Sequence, residues 1–478
     1  MKRLSLVLVV GFLAACEREP TSQEEMLPVP VGPMNALAPG YVVVDLGEVD
    51  GQPEGMNNLG QVVGWDESVS PQQGWVAENG ILTRVGTFSG AGTELLDISE
   101  TGVAAGSTTG PTRTPVKWQG GTLTDLGPLP SGAVSGYANA ISDNGQFVTG
   151  SLRDASFNTF AFRWDPGSGT ITQIPLPDYG YGLGVNNSGQ VVGLAFGYSP
   201  SYTVAYVWDG STLELIGPTT YGDLSWASYV DVQGRGGINN SGQLPLTACD
   251  VYNSCVSYVW QAGTLTALAG SAVPRAINDA GDVIGNDFSI PQAVLWRASD
   301  YATAIDLGNL GGSGVNARDI SNRSGGEPYV VGQADNPGGD GVPFIWHGGP
   351  MLELPLLPGL TRGTAIVVNK LGQAAGQLRS PGEHAVVWRI PTPQEIAQQE
   401  IDFLQAAVIG YSGSKGLLSK LADAELWIAK GKPAKACKAL SDFIGQVYSL
   451  MKKGSVPVAT GQGWIAHAQN ARTQLGCK

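Results

Sequence analysis

The sequence is poor in the residues that many enzyme sites use. It has three histidines among 478 residues, namely His347, His384 and His467, and no GxSxG motif between a strand and a helix. A Ser-His-Asp triad would need one of these histidines, but two of them stand at the surface-like ends of predicted strands. The acidic residues are scattered along the chain, so no catalytic carboxylate pair can be located. We therefore predict no catalytic residues and a protein that is not an enzyme.

Charged residues and long apolar runs are also scarce. Only 14% of the residues are charged, and the formal net charge is −14. Phosphate contacts require clustered Lys and Arg, so this composition predicts no nucleic-acid partner. Beyond the first 16 residues no apolar run approaches the ~20 residues of a transmembrane helix. The sequence therefore predicts no membrane-spanning segment.

The first 16 residues have the pattern of a targeting segment. Lys2 and Arg3 precede an apolar run, which ends in Leu13-Ala14-Ala15-Cys16. This tetrad resembles a bacterial lipobox, and that resemblance implies that Cys16 is acylated and anchors the protein to a membrane of the cell envelope. Glu17 replaces the Asp that often retains such proteins in the inner membrane, which favours the outer membrane or the cell surface. An ordinary signal peptide with an incidental Cys is the alternative.

Glycine is abundant, with 68 residues, and so is a repeated motif. Twelve Trp and eleven Phe argue for a buried core rather than disorder. The motif VNNSGQVVG recurs in variants that begin at Met56, Ile98, Ile141, Val185, Ile238, Ile277, Ile320 and Val368. An apolar residue, a polar turn with Asn or Asp, a Gly and a second apolar run predict a tight β-hairpin. Turn geometry accounts for the polar residues, so we predict that the motif itself carries no function.

Two further strands follow each hairpin. One ends in Trp, as in FAFRW and QAVLW, and most units then carry a Leu-containing strand such as LTDLG at Leu123. The Trp residues recur at intervals of 36 to 52 residues, namely Trp75, Trp118, Trp164, Trp208, Trp260, Trp296, Trp346 and Trp388. A lone four-stranded sheet cannot bury both faces, so neighbouring sheets must stack. Units of this length are typical of propeller blades.

The ends of the array favour a closed ring. The eighth unit stops after HAVVWRI without its Leu strand, whereas YVVVDLGEVDG from Tyr41 is such a strand without a unit in front of it. The N-terminal strand can therefore complete the last blade and remove a free sheet edge. We predict an all-β propeller of about eight four-stranded blades over residues 41–390. A seven-bladed ring with one divergent unit and an open β-solenoid are the alternatives.

The repeats INDAGDVIG, FAFRW and LTDLG resemble the HAF-repeat family of bacterial extracellular proteins, over Tyr41 to Arg389. That resemblance implies an extracellular protein, and the family supplies no catalytic residues to transfer. Residues 17–40, which precede the repeats, are acidic and then Pro-rich. They predict an extended tether between the lipid and the first domain.

The composition changes after a short linker at residues 391–394. Residues 395–478 carry ten Lys and Arg against six Asp and Glu, and their apolar residues recur at helical spacing. They predict a small all-α bundle of three or four helices. The stretches LLSKLADA, ACKAL and FIGQV resemble the FIMAH-type helical module of secreted bacterial proteins. That resemblance implies an accessory or interaction role outside the cell.

Four cysteines remain besides Cys16. Local pairing of Cys249 with Cys255, and of Cys437 with Cys477, is the simplest of three possible connectivities in an oxidising compartment. A zinc site is the alternative, but no His stands at metal-ligand spacing. The segment from Asp335 to Gly341 is the nearest to a calcium loop, yet it lacks the closing Glu. We predict no metal and no cofactor.

Aromatic residues outside the repeat pattern concentrate in the third to fifth units. They are candidates for a sugar- or protein-binding surface, namely Tyr198, Tyr202, Tyr221, Trp226 and Tyr229. Ordinary loop packing is the alternative explanation. The sequence as a whole favours a non-catalytic, lipid-anchored protein that binds or scaffolds an extracellular protein or glycan. The alternatives are a polysaccharide hydrolase or lyase with its site at the propeller mouth, and a structural role in surface attachment.

Overall fold

A computed structural model describes residues 40–198, 201–216, 237–249, 255–287 and 289–477. The predicted signal segment and nearly all of the predicted tether lie outside these ranges. Strands fill the first part of the described chain, and helices fill the last. No helix in the described ranges is both long enough and apolar enough to cross a membrane.

The strands of the described chain form eight antiparallel sheets, seven with four strands and one, β18 to β20, with three. The first four blades contain β2 (Pro53–Met56), β3 (Val62–Asp66), β4 (Gln73–Glu78) and β5 (Ile81–Arg84); β6 (Thr93–Ile98), β7 (Ala104–Thr108), β8 (Pro115–Gln119) and β9 (Thr122–Asp125); β10 (Ala133–Ile141), β11 (Val148–Asp154), β12 (Thr159–Asp165) and β13 (Thr170–Gln173); and β14 (Tyr179–Val185), β15 (Val191–Tyr198), β16 (Ser201–Trp208) and β17 (Leu213–Ile216). The other four contain β18 (Gln243–Cys249), β19 (Cys255–Gln261) and β20 (Thr264–Ala267); β21 (Val273–Ile277), β22 (Val283–Asp287), β23 (Gln292–Arg297) and β24 (Asp300–Asp306); β25 (Val315–Ile320), β26 (Val330–Asp335), β27 (Gly341–Trp346) and β28 (Leu352–Glu353); and β29 (Arg362–Val368), β30 (Ala374–Arg379) and β31 (Glu383–Arg389), joined by β1 (Val42–Glu48).

The first strand of the chain closes the last blade. Strand β1 pairs with β31, from Val42 opposite Arg389 to Glu48 opposite His384, and the sheet order is β1-β31-β30-β29. Closure in this way covers the sheet edge that β31 would otherwise expose. The predicted eight-bladed propeller, closed by the N-terminal strand, is therefore confirmed.

The repeated motif forms the turn between the first two strands of a blade. In the fourth blade the Gly189 amide donates to Asn186 O (2.9 Å), and Asn186 Oδ1 accepts from the amides of Ser188 and Gln190 (3.1 Å each). Gly189 has φ of +79°, a conformation that side chains with a Cβ rarely adopt. The Asn and Gly of the motif thus have the turn roles that the sequence predicts.

The Trp residue of the third strand packs within and between blades. Trp75, Trp296 and Trp388 are fully buried. The indole N–H of Trp388 donates to Pro355 O at 2.7 Å, which satisfies its polar atom inside the core. A Cβ on Gly376, the last residue of the motif VNKLGQAAG, would lie 2.9 Å from Trp388 Cζ3. The Gly that ends the motif therefore leaves room for the Trp of the next strand.

Four helices follow the propeller within the described residues. They are α1 (Pro393–Ala407), α2 (Ser414–Ala429), α3 (Pro433–Lys452) and α4 (Val458–Gln474). Their apolar faces meet in a core that includes Ile401, Leu421, Phe443 and Trp464. Cys437 of α3 and Cys477 beyond α4 lie at disulfide distance, with Cα atoms 5.6 Å apart. The sequence predicts three or four helices, and the described part of the bundle has four.

An ion pair joins the last propeller strand to the first helix. Arg389 Nη1 donates to Glu395 Oε2 at 2.6 Å, and the same oxygen accepts from the Thr392 amide at 2.7 Å. These hydrogen bonds, with that from Arg389 the largest cause, lower the pKa of Glu395 to about 2. Thr392 and Glu395 also form a capping box, so α1 begins at Pro393, within the predicted linker.

Candidate functional site

The motif turns come together at one end of the propeller axis. Outside the fifth blade, the first strands of neighbouring blades contact one another around the axis, and each ends at a motif turn; in the fifth blade the first described strand, β18, follows its turn. The third residue of each of the eight copies of the motif lines the same cavity, which has a volume of ≈ 640 Å³. We call these eight residues the mouth ring, and they are Asn58, Glu100, Asp143, Asn187, Asn240, Asp279, Asn322 and Lys370. The cavity volume lies within the range of small-ligand sites, about 300–1,000 Å³.

The second residue of most turns joins one blade to the next. Asn239 is buried, and its Nδ2 donates to Asn278 O in the following blade at 2.9 Å. Asn369 of the last blade donates to Asn57 O of the first at 3.1 Å, which continues this contact across the point of closure. Buried amides without partners cost about 1–3 kcal/mol each, so these bonds fix the blades relative to one another.

The mouth ring itself is fixed by main-chain hydrogen bonds. Glu100 Oε2 accepts from the Asn58 amide, and Asp279 Oδ1 accepts from the Asn240 amide, both at 2.9 Å. Asn58 Oδ1 accepts from the Lys370 amide at 3.0 Å. In each case a side chain of one blade accepts from the backbone of the blade before it. The prediction that turn geometry fully accounts for these residues is therefore incomplete, because they also connect the blades.

Two carboxylates of the mouth ring accept hydrogen bonds from the same side-chain amide, that of Asn240. Asn240 Nδ2 donates to Asp143 Oδ2 at 2.9 Å and to Asp279 Oδ2 at 3.0 Å. The two accepting oxygens therefore lie no more than about 6 Å apart, a limit that includes the spacing of about 5–5.5 Å in retaining glycosidases and excludes the wider one of inverting enzymes. Asn322 Nδ2 also donates to Asp279 Oδ2, at 3.0 Å. This arrangement places two oriented acids in one open polar cavity.

Other charged groups surround this pair. Glu100 adds a third carboxylate, and the exposed Lys370 and Arg323 add positive charge to the rim. Arg323 is held by the buried Asp282, with Nε 2.6 Å from Oδ2. The mouth therefore carries both acids and cations, which suits proton transfer and the binding of polar ligands.

Two further acids lie deeper along the axis and have a structural role. Asp97 Oδ2 accepts from the Ile141 amide at 2.9 Å, and Asp319 Oδ2 accepts from the Val368 amide at 2.8 Å. Each acid follows a register shift in its strand and is buried. Both therefore join neighbouring blades below the mouth ring.

The predicted aromatic surface is only partly described. Tyr198 and Tyr202 lie where β15 meets β16, with Tyr198 opposite Ser201 in the register. Tyr221, Trp226 and Tyr229 lie outside the described residues, as does Cys16. The binding role of the five aromatic residues stays a prediction.

The cysteines and histidines lie elsewhere in the fold. Cys249 and Cys255 lie opposite each other on β18 and β19 at disulfide distance. His347 stacks on Tyr329, with ring centroids 4.0 Å apart. His384 Nδ1 lies 3.0 Å from Asp45 Oδ1, at the pairing of β1 with β31. In the described ranges no three His, Cys, Asp or Glu residues converge as metal ligands would.

The segment considered as a calcium loop is a strand connection. The Asn336 amide donates to Asp340 O at 2.9 Å, and the Asn336 side chain accepts from the amides of Gly338 and Asp340. The Asp340 carboxylate lies 2.9 Å from Arg362 Nε. These contacts are those of a hairpin turn between β26 and β27.

No family model matches the chain, and no curated protein matches it. The resemblances to the HAF-repeat family and to the FIMAH-type module therefore stay predictions.

Solved structures do match. A prolyl endopeptidase structure matches at 15% identity and a TM-score of 0.43, over 61% of this chain and about half, 49%, of that chain. An oligogalacturonate lyase from Vibrio parahaemolyticus matches at 9% identity and 0.42, over 75% and 96% of the two chains. The β-propeller domain of a protease from Pyrococcus furiosus matches at 10% and 0.40, over 64% and 98%.

The prediction that the chain is not an enzyme does not stand, because the solved structures that share its fold include a prolyl endopeptidase, an oligogalacturonate lyase and an acylaminoacyl peptidase. At 9–15% identity the likeness shows the shared fold and transfers no site residue. The sequence argument for that prediction also overlooked how the blades bring distant residues together. Acids that are scattered along the sequence meet at the axis, since the motif turns of all eight repeats line one cavity there. Comparing the third motif residue across the eight repeats would have grouped Asp143 with Asp279.

Proposed function

We propose that the protein is an enzyme that cleaves a polysaccharide, as a hydrolase or lyase, at the mouth ring. The observation that supports this proposal is the pair Asp143 and Asp279, oriented by the shared amide of Asn240. Both reactions need one group that gives a proton to the leaving oxygen and another that attacks the sugar or takes a proton from it. Two carboxylates in one open cavity can supply both.

The two acids differ in how firmly they are held. Asp279 accepts from the Asn240 amide and from the side chains of Asn240 and Asn322, so both of its oxygens are fixed. We assign it the role of nucleophile in hydrolysis and of base in elimination. Asp143 accepts through Oδ2 from Asn240, and we assign it the role of acid. In hydrolysis the short separation fits a retaining enzyme, so Asp279 attacks the anomeric carbon while Asp143 protonates the glycosidic oxygen that leaves. Asp143 then takes a proton from the water that releases the sugar from Asp279. In elimination Asp279 takes the proton from the sugar carbon that bears the carboxylate, and Asp143 again protonates the glycosidic oxygen that leaves.

The test is cleavage of a panel of neutral and acidic polysaccharides by the full chain, measured as new reducing ends and as the ultraviolet absorbance of unsaturated products. We expect Asp279→Asn and Asp143→Asn each to lower the rate at least about 100-fold, because each removes a group that attacks the sugar or transfers a proton. Asp125→Asn is the matched control, since that acid is exposed at the end of β9, away from the mouth. Wild-type rates in both mouth variants, or no cleavage of any polymer, would sink the proposal.

We also propose that acylated Cys16 holds the protein on the outer membrane or cell surface, where polysaccharide is available. The support is the tetrad Leu13-Ala14-Ala15-Cys16 and its preceding apolar run. Cys16→Ser should move most of the protein from the membrane fraction to the soluble fraction, because each buried CH₂ of an acyl chain contributes about 0.8 kcal/mol. Immunoblots of the two fractions check this result, with Glu17→Gln as a control that keeps the cysteine. Membrane retention of the Cys16→Ser protein would contradict lipid anchoring.

A further inference from the structure

A second polar cavity lies at the end of the axis opposite the mouth. Strand β29 starts at Arg362 and ends at Val368, beside the mouth-ring turn, so Arg362 marks the other end. The cavity has a volume of ≈ 440 Å³ and lies where the seventh, eighth and first blades meet. Three arginines line it, namely Arg318, Arg362 and Arg379. We call it the basal arginine pocket.

The three arginines lie close together although their like charges repel one another. Arg362 and Arg379 stand directly opposite each other in the pairing of β29 with β30. Like charges in that position destabilise a sheet. Arg318, half-buried on the neighbouring blade, brings a third cation to the same cavity in a chain whose net charge is −14. Such a local conflict is typical of a binding site.

The carboxylates beside Arg362 and Arg379 form exposed ion pairs with them. Arg362 Nε lies 2.9 Å from Asp340 Oδ1, and Arg379 Nε lies 3.3 Å from Glu383 Oε1. Both arginine side chains are more than half exposed, at 59% and 56%. Exposed ion pairs contribute only about 0–1 kcal/mol, and each uses one edge of a guanidinium that has five N–H donors. Neither acid lines the cavity.

The other polar side chains of the pocket orient Arg379 and add further hydrogen-bonding groups to the lining. Gln377 is buried, and its Oε1 accepts from Arg379 Nε at 2.9 Å while its Nε2 donates to Gly51 O at 2.8 Å. Arg379 is therefore positioned by a fixed amide. Gln333 and Thr364 add an amide and a hydroxyl to the lining.

We propose that the basal arginine pocket binds a small acidic saccharide of the uronic-acid class. Guanidinium forks bind carboxylates through two parallel hydrogen bonds, and amides and hydroxyls suit the hydroxyls of a sugar. The volume of ≈ 440 Å³ is that of a small-molecule site, larger than a bare phosphate or sulfate requires. The pocket is separate from the mouth, so this binding does not depend on cleavage there.

The test is calorimetric titration of the full chain with glucuronate, glucose and inorganic phosphate. We expect saturable binding of glucuronate, at least about tenfold weaker binding of phosphate, and none of glucose, since charge-assisted hydrogen bonds to the carboxylate supply most of the affinity. Arg362→Gln and Arg379→Gln should each weaken glucuronate at least about tenfold, and Arg362→Lys should do so as well, because Lys has no planar fork. Arg153→Gln, an exposed arginine on β11, is the matched control.

The two Arg362 variants should keep the wild-type melting temperature, because the ion pair of Arg362 with Asp340 is exposed. Arg379→Gln should lower it slightly, because the buried Gln377 loses a donor. Binding of phosphate as tightly as glucuronate would make the pocket a simple anion site and overturn the proposal. So would binding that survives both Gln substitutions, or no binding of glucuronate. Asp279→Asn should leave glucuronate binding unchanged, and a loss there would place the ligand at the mouth instead. Loss of cleavage with retained binding, or the reverse, separates this proposal from the proposed activity.

Discussion

A chain that begins at residue 50, and so lacks β1, should melt about 10 °C lower than the full chain and should aggregate. Burial of Leu46 and Val49, which this truncation removes, contributes about 1.5–3 kcal/mol each. In a propeller of about 350 residues each kcal/mol corresponds to roughly 1–2 °C in Tm, and the lost hydrogen bonds between β1 and β31 add to the shift. The loss also leaves β31 as an exposed edge strand, since β1 is its partner from Val42 to Glu48. Exposed edges promote pairing between chains.

The matched control is a chain that begins at residue 40, which removes the predicted signal segment and tether but keeps β1. It should melt at the temperature of the full chain and elute as the same species in size-exclusion chromatography. A peptide with the sequence of residues 41–49 should raise the Tm of the shorter chain, because it can pair with β31. Equal melting temperatures for the chains that begin at residues 40 and 50 would show that β1 does not hold the ring closed.

Replacing Trp388 by Ala should destabilise the propeller by about 3–5 kcal/mol, the usual cost of removing a fully buried Trp. The indole packs with Val331 and Leu354 of the seventh blade, so the cavity would open between two blades. The Pro355 carbonyl, which accepts from Trp388 Nε1, would also lose its donor. The effect falls on the same blade that β1 completes.

Chemical denaturation of the full chain, followed by circular dichroism, measures this loss. Trp388→Phe should cost less, about 1–2 kcal/mol, because it keeps most of the ring volume. Leu371→Ala, at a side chain that is 54% exposed in the neighbouring turn, should change stability by less than about 0.5 kcal/mol. A cost for Trp388→Ala as small as that for Leu371→Ala would mean that the blade interface relaxes around the missing ring.

The fold was accessible from the sequence because its causes are local and repeated. The Trp spacing and the unmatched strand at Tyr41 were enough to predict a ring closed by β1. The helical period after residue 394 was enough for the bundle, although the capping box at Thr392 moved the helix start into the predicted linker. In each case neighbouring residues determine the structure.

The candidate sites were not accessible in the same way. Asp143 and Asp279 stand in different repeats, and an Asp satisfies a turn as well as an Asn does, so nothing local distinguishes them. Only the ring geometry brings them to one amide of Asn240. The basal pocket likewise depends on the register that sets Arg362 opposite Arg379. Sites built from several blades become visible when the blades are placed around the axis.

The mouth ring also bears on how such a propeller can gain or lose blades. Most of its third-position side chains offer an oxygen to the backbone of the preceding blade, so the two blades must change together. The amide of Lys370 donates to Asn58, but a lysine side chain has no acceptor to offer the seventh blade. The interface between the seventh and eighth blades therefore lacks this hydrogen bond from a side chain of the mouth ring. Duplication or loss of a repeat at this interface would break no side-chain contact of that kind, but it would still break the bond from the Val368 amide to Asp319.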